Sequence, residues 1–468
     1  MAVSKTKLSQ TLNLFDPTPE VSPAPVPVPA ADHHLNRANL GTFAESLRSP
    51  VHRWFTYPAG FSFRAVEEGI RSFGIVPGDT IYDPFAGTAT TCVVAKQKGI
   101  NSFGVEAHPF VQFVAQTKLH WEFDPIALRR QIDALIADVQ QATEGRDLGA
   151  IDVETIFPEL VRKCYSRDKL ARLYICREAI ISIEDEPFRN FAKLGLTNIL
   201  RAAADVATGW PYIAPGKSKN GTEAKVASSA NILELLRKQL YLMQSDLQSI
   251  RSSQVPGGNA VLIAGDSREH HHEIADESIA LSFTSPPYLN NYDYSDRTRL
   301  ETYFWGMCST WGDITAKVRS KLIMSATTQA NRKEWDEANL LTADFCATVP
   351  NVAAELKPKL AELSDLRLKK GGKKSYDIMV GGYFNDLLLV IRETYRVLKP
   401  GASFVLILGD SAPYGVYIPI DTYLGEIGKA VGFASYESET IRARGDKWRD
   451  NPQRHSVVLK ECILTLRK

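Results

Sequence analysis

The chain has 468 residues, 44% apolar and 23% charged, with 30 Gly and 25 Pro; this excludes a wholly disordered chain and a small disulfide scaffold, and the length suffices for about two to three domains or one domain with large insertions. Lys plus Arg number 55 and Asp plus Glu 54, a net charge of +1, which excludes a uniformly basic coat and leaves any nucleic-acid contact to local patches. The six cysteines, Cys92, Cys164, Cys176, Cys308, Cys346 and Cys462, form no CxxC pair, the pattern of reduced thiols in a cytoplasmic protein rather than a disulfide framework or zinc site. The N-terminal MAVSKTKLSQ lacks the apolar core of a signal peptide, and the strongest apolar run, Phe404 to Leu408, is too short to cross a bilayer, so no membrane insertion is expected.

In chain order, residues 1–35 read as a disordered tail, because Pro recurs at nearly every second position from Pro17 to Ala31 and imposes extended geometry without backbone donors. Within it Gln10 to Phe15 (QTLNLF) resembles the short peptides by which bacterial replication and repair proteins hold the sliding clamp, although a pattern with so few fixed apolar positions also arises by chance. Residues 36–122 carry a helix at Glu67 to Phe73, a turn at Pro77-Gly78-Asp79, a strand at Thr80 to Tyr82, a helix at Thr91 to Lys98 and a strand at Ser102 to Glu106. That succession opens a parallel α/β sheet.

Residues 123–255 form a helical insertion, with apolar residues at helical spacing from Leu128 to Val139 and from Ile232 to Ile250, interrupted by a loop over 209–221. Strands return at Ala260 to Ala264 and Ile279 to Phe283 within a catalytic segment, 256–295. A second, polar insertion, 296–378, contains Lys369, Lys370, Lys373 and Lys374. The last segment, 379–468, reads as a helix (Phe384 to Leu398), a buried strand (Ala402 to Gly409), a helix (Leu424 to Val431) and a terminal strand (Ser456 to Arg467).

Two segments carry chemistry. Asp83-Pro84-Phe85-Ala86-Gly87-Thr88-Ala89-Thr90-Thr91 follows a strand and opens a helix, where small residues let backbone approach a ligand and the helix N-terminus favours a carboxylate. Glu106 closes the next strand about 20 residues on, where doubly wound folds place an acid on ribose hydroxyls. The pair predicts an adenosine-bearing cofactor; the plainer alternative is a tight turn and an exposed Glu. The second segment, Thr284-Ser285-Pro286-Pro287-Tyr288, also follows a strand. Its prolines fix the main chain and leave carbonyls free to accept from a substrate NH2, and Tyr288 offers a flat surface for a planar ring.

With these residues the chain resembles the S-adenosylmethionine-dependent amino methyltransferases of DNA, and the resemblance implies a class I methyltransferase fold: α/β, Rossmann-like, with a seven-stranded, mostly parallel sheet plus largely helical insertions. DPFAGTATT looks like the family's cofactor loop, placing Asp83, Pro84, Phe85, Ala86, Gly87, Thr90 and Thr91 at S-adenosyl-L-methionine, with Thr284 and Glu106 beside them. Gly265-Asp266-Ser267 resembles the turn whose acid reaches the adenine amine, so Asp266 and Ser267 join the set. His52 to Phe63 resembles the segment covering the methionine end, which adds Phe61. TSPPY matches the catalytic loop in its serine form: Ser285, Pro286, Pro287 and Tyr288. The family usually has Gly at Ala89, where a positive φ costs Ala roughly 1 kcal/mol; either the turn avoids that geometry or cofactor affinity suffers.

Hydrogen bonds from a base NH2 to the Ser285 side chain and the Pro286 carbonyl would free the nitrogen lone pair for in-line attack on the sulfonium methyl. A base in a duplex must be flipped to arrive there. None of the cysteines follows a proline, as a carbon-5 methyltransferase of this kind would require. The resemblance associates Ser-Pro-Pro-Tyr with cytosine N4 and Asp-Pro-Pro-Tyr with adenine N6; an RNA base amine and a catalytically idle cofactor-binding or DNA-binding subunit are the competing readings. Double-stranded DNA is the expected partner, beside a cognate restriction or defence nuclease, in a cytoplasmic, nucleoid-associated setting. Contact with it is expected from Tyr292, from the Lys369 to Lys374 loop and from the run containing Arg442, Arg444, Lys447 and Trp448, which interleaves cations with an aromatic ring. The His270-His271-His272 run has too few further ligands in range for a metal.

Overall fold

A computed structural model describes residues 37–57, 60–208, 213–219, 231–253, 257–444 and 457–468, all within the unit Arg37–Lys468. The proline-rich tail, the 10–15 peptide, Lys447 and Trp448 lie outside the described residues.

Strands β1 (Thr80–Asp83), β2 (Asn101–Glu106), β5 (Ala260–Ala264), β6 (Ile279–Thr284), β7 (Leu398–Gly409), β8 (Ser435–Arg444) and β9 (Leu459–Arg467) form a seven-stranded sheet in the order β5-β2-β1-β6-β7-β9-β8; β3 (Val206–Ala207) and β4 (Ala214–Ser218) make a separate hairpin. The five strands from β5 to β7 are parallel, and β9 runs antiparallel to β7 and β8. This is the expected α/β, Rossmann-like methyltransferase sheet. Its central strands read as continuous apolar runs because both faces are covered; every residue of β7 from Phe404 to Gly409 is buried.

The helices begin where local chemistry starts them. Asp124 caps the helix Pro125–Glu144 by accepting from the amides of Ile126 and Ala127, with Pro125 in the first turn, where its missing N–H costs nothing. Its stripe Leu128, Ile132, Leu135, Ile136 and Val139 is buried as the spacing predicts. The helix anticipated from Phe384 starts at Tyr376. Residues 376–384 are buried on every side, so its first two turns have no polar face and no helical period to read.

Two cores result. One joins Cys92 and Val93 of the helix Thr90–Gln97 to the helices of the first insertion and to Leu300, Phe304 and Ile314 of the second. The other joins β7 and β9 to the helices Tyr376–Val397 and Ile420–Val431 and to Phe345, Leu356 and Leu363 of the second insertion. The first insertion therefore shares its core with the cofactor helix, and the second contributes to both cores.

Candidate active site

The sheet reverses its winding between β1 and β6, which pair in parallel through Ile81 with Leu281 and Tyr82 with Ser282. In an open α/β sheet the crevice beyond the carboxyl ends of such strands is where ligands bind. Here the loop after β1 is DPFAGTAT and the loop after β6 is SPPY, so both chemical segments emerge side by side.

Three side chains clip the loops together. Thr284 Oγ1 donates to Asp83 Oδ1 at 2.6 Å, the same oxygen accepts from Phe85 N at 3.0 Å, and Thr91 Oγ1 donates to the Phe283 carbonyl at 3.2 Å. Asp83, Thr91 and Thr284 have no exposure and stand behind the residues that line the pocket. Ser267 Oγ donates to the Pro84 carbonyl and joins the third loop to the first. Burial pushes Asp83 up to about 6 despite the hydrogen bonds that favour its ionised form.

In front of this frame lies a pocket of about 840 Å³, its open mouth included, lined by Phe61, Pro84, Phe85, Ala86, Gly87, Thr88, Thr90, Glu106, Asp266 and Ser267, and also by Ser285 and Pro287. Cofactor-type and catalytic residues thus share one cavity. Gly87 has φ +54° and Ala89 φ +66°. The turn does not avoid the left-handed geometry, so the Ala89 strain of roughly 1 kcal/mol is retained in a residue with no exposure.

Glu106 Oε2 accepts from Gly87 N at 2.8 Å and Oε1 from His108 N at 2.8 Å. Burial nevertheless pushes its carboxyl up to about 7. A carboxylate has about four acceptor positions, so two remain for a diol. Thr88 Oγ1 and Asp83 Oδ2 are buried without a hydrogen-bond partner, which native interiors rarely leave so. A site with polar atoms to spare, an acid after β2 and a left-handed turn opening a helix fits an adenosine-bearing ligand with a charged tail. Asp266 is held by Arg268, whose guanidinium also reaches Asp386 Oδ1 at 2.9 Å.

On the catalytic side Ser285 Oγ donates to the Ile407 carbonyl at 3.0 Å, Tyr288 OH donates to Glu461 Oε1 at 2.9 Å, and Tyr288 N donates to Tyr294 OH at 3.4 Å. The Arg444 guanidinium lies over one face of the Tyr288 ring, 5.1 Å from its centre. Pro286 is buried. Tyr294, not Tyr292, lines the pocket; Tyr292 packs edge-on against it at 6.3 Å.

Arg442 and Arg444, expected to meet DNA, belong to the edge strand β8. They lie half-buried on β8, Arg442 Nε donating to Glu461 Oε2 at 2.5 Å and Arg444 to the Asp410 carbonyl at 3.2 Å. Both have carboxylate, carbonyl or ring partners within the protein and stay partly open to solvent. Lys369, Lys370, Lys373 and Lys374 are exposed as expected, and Lys370 and Lys374 lie over the rings of Tyr414 and Tyr376.

Sequence reasoning missed Tyr57, His108, Lys321, Leu322, Ile323 and Ser325 as pocket residues. Tyr57 had a signal, its place in HRWFTYPAGFSF. His108 Nδ1 accepts from Phe110 N at 3.2 Å and caps a helix, while its other nitrogen is 2.7 Å from Thr298 Oγ1; burial holds the ring neutral, its pKa down to about 3. Residues 321–325 carry no pattern that announces a pocket.

The fold and site together define a Rossmann-like methyltransferase. Residues 32–116, which contain the cofactor loop and Glu106, match the model of a family described as DNA methylase. Along most of its length the chain is similar to Type II methyltransferase M.BsoBI of Geobacillus stearothermophilus, with 24% identity over 91% of this chain and 87% of that protein. It is likewise similar to Type II methyltransferase M.AvaI of a Nostoc species, 22% identical over 93% and 90% of the two chains, and to Type II methyltransferase M.MvaI of Kocuria varians, 20% identical over 84% of each. These similarities support reading the chain as an S-adenosylmethionine-dependent DNA amino methyltransferase of the N4/N6 family. S-adenosyl-L-methionine is the cofactor of this family.

Proposed function

We propose that this chain methylates the exocyclic N4 amine of a cytosine turned out of duplex DNA, by direct in-line transfer, and that it serves restriction-modification or phage defence in the cytoplasm. The observation that carries the reading is that Ser285 lines the same cavity as Gly87 and Glu106 while its own proton is committed to the Ile407 carbonyl. That commitment leaves the Ser285 oxygen lone pairs to accept from a base NH2. The Pro286 carbonyl is the second acceptor, and the pair would draw the amine out of conjugation with its ring. The names of the similar Type II methyltransferases support the defence role and a cognate nuclease as partner.

Bound S-adenosyl-L-methionine supplies an electrophilic methyl group on a sulfonium centre. Glu106 would hold the ribose hydroxyls, the Pro84–Thr90 loop the methionine carboxylate, Asp266 and Ser267 the adenine edge, and Phe61 the methionine end. Asp83, Thr91 and Thr284 keep the two loops in register from behind. The exposed lysines from Lys369 to Lys374 would meet the phosphate backbone, with base reading assigned to the two insertions.

A carbon-5 mechanism finds no support. It needs a thiolate, whereas burial pushes Cys92, Cys176 and Cys462 up to about 12 and Cys164 to about 11, and none of the cysteines lines the pocket. The choice of N4 over N6 rests on Ser285 in place of an aspartate. The test is transfer from methyl-labelled S-adenosylmethionine to duplex DNA and to total RNA, followed by nucleoside digestion and mass spectrometry. N4-methylcytosine that is absent with Ser285→Ala is expected. N6-methyladenine would overturn the base assignment, and label confined to RNA, or none, would overturn the DNA reading.

A further inference from the structure

Tyr288 is held by the far end of the chain. Its phenol donates to Glu461 Oε1 across 173 positions of sequence, and Glu461 is 1% exposed. Glu461 sits on β9 opposite Gly409 of β7 and Arg442 of β8. The β8 register shifts between Thr440 and Arg442, an irregularity of the kind that re-aims a side chain, and Arg442 Nε meets Glu461 Oε2. The carboxylate also lies against the backbone at Gly41, where a Cβ would stand 2.3 Å from Oε2, so a side chain there would push the carboxylate out of this position. Four segments, the chain around Gly41, the catalytic loop, β8 and β9, therefore converge on one buried acid.

The fold alone gives no reason for a charge there. Its neighbours on the same face of β9, Ile463 and Thr465, are uncharged and half-buried, and a well-packed apolar side chain at a buried position is often as stabilising as a buried ion pair. A carboxylate does what an apolar residue does not: it fixes the direction of the Tyr288 phenol. The two prolines before Tyr288 already restrict its main chain, so side-chain rotation is the main freedom left.

We infer that Glu461 is a positioning residue for methyl transfer, holding the Tyr288 ring against which the target base is placed, with Arg442 neutralising it. This rests on reading Ser285–Tyr288 as the catalytic loop. The test is a double-mutant cycle on single-turnover methyl transfer to duplex DNA, with S-adenosylmethionine affinity and thermal melting measured alongside. Tyr288→Phe removes only the hydroxyl and should slow transfer about tenfold or more, since small misplacements at a reacting centre cost such factors, with cofactor affinity unchanged. Glu461→Ala should slow it by a similar factor, Glu461→Gln, which keeps an acceptor, should restore most of the rate, and in the Tyr288→Phe background Glu461→Ala should add less than about twofold. If Glu461→Ala does not fold, the Tyr288→Phe and Glu461→Gln pair carries the same comparison. Tyr288→Phe transferring at the wild-type rate, or single effects that multiply, would overturn the inference. A wild-type protein inactive on every DNA would instead overturn the catalytic reading beneath it.

Discussion

The two sides of the central crevice are built by different means. The cofactor side is local: Asp83 to Thr91 and Glu106 come from consecutive elements, and backbone amides do much of the work, Gly87 N and His108 N both donating to Glu106. The catalytic side is assembled from distant chain. Ser285 leans on Ile407, Tyr288 on Glu461 and Arg444, and Lys321 to Ser325 close the wall. On the proposed reading, the ribose and carboxylate of the cofactor depend on a short stretch, joined by Phe61, Asp266 and Ser267 from elsewhere, and target handling depends on distant chain, so changes on the two sides should fail differently.

The largest expected separation is Ser285→Ala. Methyl transfer should fall about 10²-fold or more, the scale of losing a hydrogen-bonding group that acts at the reacting atom, in single-turnover assays. Fast transfer by the variant would break the distinction.

Next is the clip between the sides. Thr284→Val removes the hydroxyl that donates to the buried Asp83 carboxyl and leaves an acid with one oxygen already unpartnered. A loss of about 2–3 kcal/mol is expected, read by urea unfolding. An unchanged midpoint would show that the loops hold their register without it.

The N-terminal segment over the cofactor side contains His52, with no exposure, both ring nitrogens unpartnered and its ring stacked on Phe63 at 5.3 Å. Burial, with a smaller effect from Lys118, drives its pKa down to about 3. Because the unfolded ring takes a proton near pH 6.5, the stability that depends on neutral His52 is complete above that pH and is lost as pH falls. Between pH 7.5 and 5 the loss is up to about 2 kcal/mol. His52→Phe should remove it. Asp83 and Glu106, raised to about 6 and about 7, act in the opposite sense, their contribution being present below pH 4 and lost as pH rises toward 7. The quantity to compare is therefore the difference between variant and wild-type melts; an identical pH dependence would refute the account of His52.

The smallest effect is at Ala89. Ala89→Gly relieves a left-handed Ala but removes a buried methyl, so stability should change by about 1 kcal/mol or less. A larger loss would mean that the methyl packs more tightly than its surroundings suggest.

The same contrast explains what could be read in advance. The β1-turn-helix-β2 unit, Glu106 and the SPPY loop were legible because strand pattern, turn residues and spacing are local. Strand β8, SYESETIRAR, was missed. At the sheet edge most of its residues are exposed or half-exposed, and no alternation marks it. Arg442 and Arg444 therefore looked like a surface run rather than partners of Glu461 and Tyr288. Tyr292 and Tyr294 were equivalent in sequence, and only the backbone after Tyr288 determines which one enters the pocket. Asp83, Thr91 and Thr284 lie in the readable motifs, but which polar atoms face a ligand and which tie loops together depends on the pairing of β1 with β6.

The central claim, that one crevice joins two separable sides, is tested most directly by calorimetric titration of S-adenosylmethionine into Ser285→Ala and Glu106→Ala. The account predicts a Kd within about twofold of wild type for Ser285→Ala and a Kd weakened about tenfold or more for Glu106→Ala, the scale of losing hydrogen bonds to a charged group. Loss of cofactor by Ser285→Ala, with affinity preserved in Glu106→Ala, would contradict it.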